Sequence, residues 1–102
     1  MAAEVDRVQA TEFLLELYVP RAEPSRVEAG AERARGEADR LTGEGKPIRS
    51  VRTIFVPEDE TCFYLFEAAS ADAVRETARL AGLRFDRITE AVSETKTTGG
   101  PT

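Results

Sequence analysis

The chain has 102 residues, 41% hydrophobic and 32% charged, with a formal net charge of -5; that length suits one domain with one core. The mildly acidic balance, with arginines spread between acids rather than clustered, argues against a nucleic-acid or anionic-membrane surface, since both need a basic footprint. One cysteine and no histidine exclude an intrachain disulfide and a cysteine metal knuckle, and remove the commonest general base and transition-metal ligand.

Residues 1–10 are polar and aperiodic, and read as a flexible tail. The first seven lack the basic and apolar regions of a signal peptide. No apolar run approaches the roughly 18 residues of a membrane span, so a soluble cytoplasmic protein is expected. Residues 12–19 form the first strand by their two-residue period. Phe13, Leu15, Leu17 and Val19 share one face, Glu12, Leu14, Glu16 and Tyr18 the other, and Pro20 ends it. Ser25 followed by Glu28 matches a capping box. It opens a helix whose stripe is Val27, Ala31, Ala34, Ala38 and Leu41. Arg26, Glu32, Arg33, Glu37 and Arg40 make the solvated face, and Gly30 and Gly36 cost helix stability. The helix stops near Gly43.

Two β-rich runs follow, 48–56 and 61–67, joined by a short polar turn that opens with Pro57. This is a β-hairpin. Ser70 caps a second helix over 71–81, with Val74, Ala78 and Ala81 as its stripe and Gly82 as its C′ residue. Residues 85–92 form a fourth strand, an edge by its charges. Residues 94–102 read as a second flexible tail, leaving a single domain over 11–93. The order βαββαβ predicts an α+β, ferredoxin-like domain: a four-stranded antiparallel sheet with two helices on one face.

The helices cover only one face, yet the first and third strands are apolar on both. Phe63 and Leu65 point one way, and Cys62, Tyr64 and Phe66 the other. An uncovered apolar face calls for a partner. The simplest is a second copy packed sheet to sheet, giving a homodimeric α/β barrel or sandwich. Such a sandwich could enclose a cavity faced by Glu16, Tyr18, Ser50, Arg52, Cys62 and Tyr64, with Glu16 and Arg52 as an ion pair. The alternative is that these residues only stitch a dimer interface, where Tyr and Arg are enriched.

Individual motifs have two readings each. The acidic turn Glu58, Asp59 and Glu60, with Glu67 beyond it, is either a hard-cation site or a solvated hairpin turn, and lacks the ligand spacing of a calcium loop. Cys62 is either a nucleophile helped by Arg52 or a small buried hydrophobe. Glu16 is either a general base, if burial raises its pKa, or a structural partner of Arg52. No metal-ligand set, cofactor or phosphate-cradling glycine loop is assigned.

The stretches from Ile54 to Phe63, Leu65 to Glu76, Ala81 to Leu83 and Asp86 to Glu90 resemble a family of small domains of unknown function whose described member is a nickel-binding protein. Glu16 falls where that family tends to place a glutamate. The resemblance covers roughly Phe13 to Val92, and implies a ferredoxin-like fold, often dimeric and without an assigned activity. The nickel site of the described member relies on histidine, so its binding chemistry does not carry over to these residues. The expected function is a small dimeric module that binds a ligand or metal, or serves as an accessory subunit. The alternative is a cofactor-independent dimeric α/β-barrel enzyme of cyclase, isomerase or monooxygenase type acting on an apolar metabolite. Glu16 would be its base, and Arg52, Tyr18 and Tyr64 would hold the developing anion.

Overall fold

The computed structural model describes residues 11–20 and 23–94. The expected tails at 1–10 and 94–102 lie outside these residues, Glu94 apart. The elements run β1 (Thr11–Tyr18), α1 (Pro24–Gly43), β2 (Ile48–Val56), a 3-10 turn (Pro57–Asp59), β3 (Thr61–Ala68), α2 (Ala71–Leu80) and β4 (Arg87–Ala91). The strands form one antiparallel sheet in the order β2-β3-β1-β4, with β2 and β4 as edges. This is the expected βαββαβ arrangement.

Both helices end as glycine allows. Gly45 (φ 93°) and Gly82 (φ 73°) take the left-handed conformation. Beyond α1, Lys46 N–H donates to Leu41 O and Gly45 N–H to Thr42 O; beyond α2, Leu83 N–H donates to Ala78 O and Gly82 N–H to Arg79 O. Each pair is a Schellman closure of otherwise unpaired carbonyls. The start of α2 is capped by Ser70, whose Oγ accepts from Ala73 N–H at 3.3 Å. The start of α1 differs from expectation. Pro24 occupies the first turn, Glu23 is the N-cap, and no side-chain cap bond forms. Proline is preorganised for the first helical position, so the helix begins before Ser25 and places that serine inside it.

The core lies between the sheet and the helices. Phe13, Leu15 and Leu17 of β1 meet Ala31, Ala34, Ala38 and Leu41 of α1 and Val74 and Ala78 of α2. The β3 contribution is Cys62, Tyr64, Phe66 and Ala68, all buried. Strand pairing sets Leu15 opposite Tyr64 and Leu17 opposite Cys62, so these side chains share the helix-covered face. The tyrosine hydroxyl reaches α1 at Gly30: a Cβ built there would stand 2.8 Å from Tyr64 Oη, whereas one built at Gly36 meets nothing within 4 Å.

Two glycines of one helix should therefore respond with opposite signs to the same substitution. Gly36→Ala should stabilise by about 0.5–1 kcal/mol through helix propensity. Gly30→Ala should destabilise by about 1–3 kcal/mol through overpacking, and adding Tyr64→Phe should recover part of that loss. Urea titration of the three variants checks this; equal gains from both alanines would refute the close approach.

Candidate functional site: an α1–α2 cleft and an open sheet face

The expected site residues separate into three places. On the uncovered face, β1 contributes Glu12, Leu14, Glu16 and Tyr18, and β3 contributes Thr61, Phe63, Leu65 and Glu67. Arg52 joins them, opposite Leu65, and Ile54 lies opposite Phe63. Tyr18 is 58% exposed and Ile54 44%. Arg49 pairs with Glu67 at 2.8 Å. The expected Glu16–Arg52 ion pair is not formed, because β3 lies between their strands. Glu16 instead meets Arg87 of the neighbouring β4 at 3.5 Å. A half-exposed carboxylate beside a guanidinium is not enclosed in the apolar surroundings that a carboxylate base requires.

Ser50 does not share this face with Arg52. The β2–β3 register shifts between them, leaving Val51 as the extra residue. A bulge inverts the alternation beyond it. Ser50 therefore sits opposite Phe66 on the helix side and Arg52 opposite Leu65 on the open side. Both still border a hollow between β2 and the outer side of α1, which Glu28, Glu32 and Arg35 also line.

Cys62 and Tyr64 are likewise corrected, since β3 turns them to the helix face. With Tyr18, at the end of β1, they border a cleft of about 570 Å³ between the first turns of α1 and the segment that follows α2. Sequence reasoning missed Gly30, Arg26, Arg33 and Arg84, which also line it. The available signal was Gly30 in the middle of a helical stripe. Arg33, placed on the solvated face of α1 from its spacing, reaches across the cleft, and its Nε donates to Ala81 O at 2.9 Å.

Burial pushes the Cys62 thiol up from its ordinary value, partly offset by a hydrogen bond from Tyr64. Burial also pushes the Tyr64 phenol well up, with the Cys62 thiol adding to the shift and the Arg33 charge opposing it. An apolar floor disfavours thiolate and phenolate alike, so Cys62 is a poor nucleophile at neutral pH. On the exposed side, Tyr18 donates its hydroxyl to Glu60 Oε1 at 3.0 Å. That bond raises the Tyr18 pKa. Glu60 has a left-handed backbone (φ 51°) just after the 3-10 turn. Among the described residues, no group of three or more metal-ligating side chains could hold an ion, at the acidic turn or elsewhere.

The strand order, the two helices on one face and the sheet left open on the other define a ferredoxin-like α+β domain. More particularly, the chain belongs to the family described as nickel responsive protein SCO4226-like, whose model matches residues 14–91. No curated protein and no solved structure matches it. The donor set of this chain does not fit nickel. Imidazole is absent from the whole sequence, the single thiol is buried in the core, and carboxylates alone suit harder ions.

The alkaline behaviour of the core follows from its two raised groups, the Cys62 thiol and the Tyr64 phenol. An unfolded chain gives up these protons near the ordinary values of 9.0 and 10.0, whereas the fold holds them. Their contribution to stability is therefore full below about pH 9 and falls as pH rises toward the folded values. Urea midpoints should fall between pH 9 and pH 11 in the parent chain, and more gently in Cys62→Ala/Tyr64→Phe. A parent midpoint that rises over this range would contradict the burial.

Proposed function

We propose that this protein is a small homodimeric binding or accessory module, cytoplasmic and without catalytic chemistry of its own, whose two copies meet through their open sheet faces. The carrying observation is the composition of that face. Leu14, Phe63, Leu65, Ile54 and Val56 form a continuous apolar strip across β1, β3 and β2, and no element of the described chain covers it. Charges of both signs border the strip: Glu12, Glu16 and Glu67 against Arg49, Arg52 and Arg87. An apolar centre with a mixed-charge rim suits an isologous contact, in which each patch meets its own copy. Arg52 forms no ion pair among the described residues, which leaves it for a carboxylate of the second copy. Membership of a nickel-responsive family is consistent with an accessory role, but supplies no ligand set here.

Sedimentation velocity at micromolar concentration should give twice the 11.2 kDa chain mass. Phe63→Asp and Leu65→Arg should each shift the protein to monomer, with its circular dichroism unchanged. A parent chain that stays monomeric up to millimolar concentration would overturn the reading.

A further inference from the structure

The α1–α2 cleft lies on the side of the sheet opposite the proposed dimer contact. Three features of it point to an anion. The first is convergence. A Cβ built at Gly30 would lie 2.8 Å from Tyr64 Oη and 3.8 Å from an Nη of Arg33, so two donors come close to the same turn of α1. The Arg33 guanidinium is held in place through Nε on Ala81 O, which leaves its Nη groups available. The second is charge. Among the described residues, three guanidinium groups, Arg26, Arg33 and Arg84, line the cleft and no carboxylate does, in a chain with 19 acidic and 14 basic side chains. None of the three forms an ion pair among the described residues, whereas Arg35, Arg40, Arg49, Arg75 and Arg87 all do. The third is that the nearby carbonyls at the end of α2 are already engaged. Ala78 O and Arg79 O accept from Leu83 and Gly82 N–H, Ala81 O accepts from Arg33 Nε, and among the described residues no hydrogen bond joins Arg26, Arg84 or the Arg33 Nη groups to these carbonyls.

The walls are apolar. Leu17, Val27 and Leu83 line the cleft beside the donors. At the floor, the side-chain hydrogen-bond neighbour of the Tyr64 hydroxyl among the described residues is the Cys62 thiol, a weak partner for a strong donor. A guanidinium fork matches a carboxylate, and such charge-assisted bonds are the strong ones. We propose that this cleft binds a small organic monocarboxylate with an apolar body, its carboxylate held between Tyr64 Oη and Arg33 and its body against Leu17, Val27 and Leu83. The inference deepens the binding-module reading by giving it a ligand class, and does not depend on sheet pairing.

The test is a proton–nitrogen NMR titration of the full chain with phenylacetate, and with phenylacetamide as its uncharged counterpart. Phenylacetate should produce saturable shifts at the Gly30, Gly82 and Leu83 amides and at the Arg33 Nε–H. The amide should bind roughly tenfold more weakly or worse, the factor expected for losing a charge-assisted hydrogen bond. Arg33→Gln should weaken phenylacetate by a similar factor. Because this residue is exposed, the variant keeps the test valid even if Tyr64→Phe disturbs the core. Arg35→Gln, on the outer side of α1, should leave binding unchanged. Equal affinity for acid and amide, shifts away from these residues, insensitivity to Arg33→Gln, or no saturable shift would each overturn the proposal. Sedimentation of the same samples separates the two readings: a dimer that ignores phenylacetate removes the cleft site alone, and a monomer that binds it removes the pairing alone.

Discussion

The contact on which the structure depends is that of the Tyr64 hydroxyl with the backbone of α1 at Gly30. An aromatic ring standing on the middle of a sheet reaches the full depth of the layer between sheet and helix. A helix can sit over it only where a side chain is missing. Gly30 supplies that gap, and the alanines at 31, 34 and 38 keep the rest of α1 close to the sheet. The cost in helix propensity at one glycine is offset by burial of a large ring, with Phe66 stacked near it at 6.4 Å between centroids. Gly30 and Tyr64 together line the cleft, with arginines around it.

Fixing Tyr64 on the helix side fixes every other residue of β3, because a strand alternates strictly. Phe63 and Leu65 must then lie on the open face, and the apolar strip there follows from the same register. The two faces thus carry different chemistry. The helix side holds a buried phenol and thiol beneath a basic rim. The open side holds aliphatic and aromatic groups bordered by ion pairs. The family description, nickel responsive, meets no imidazole in this chain, and the charged groups that line the cleft among the described residues are guanidinium groups.

Much of the fold was legible in the sequence. Period-two alternation in β1, the proline-led turn of the hairpin and the serine and glycine boundaries of α2 are local signals, and the structure keeps them. The faces were less legible, for a specific reason. Both alternating sets of β3 are apolar, Cys62, Tyr64 and Phe66 against Phe63 and Leu65, so polarity alone does not say which set meets the helices. Only pairing with β1, whose buried set is unambiguous, decides it. Ser50 and Arg52 are two apart and were grouped on one face, but the bulge at Val51 divides them. The partner of Glu16 was misjudged because strand order, not spacing, decides neighbours: Arg87 stands on the adjacent strand and Arg52 does not. Arg33 looked like surface charge, since helical spacing does not register a long side chain reaching to a neighbouring carbonyl.

The most direct measurement is a nuclear Overhauser experiment on the Tyr64 ring in the free protein. The account predicts cross-peaks from its ring protons to the Gly30 α-protons and to Leu15 and Leu83 side chains. Cross-peaks instead to Leu14 and Glu16, with none to Gly30, would place Tyr64 on the open face and contradict both the register and the cleft built upon it.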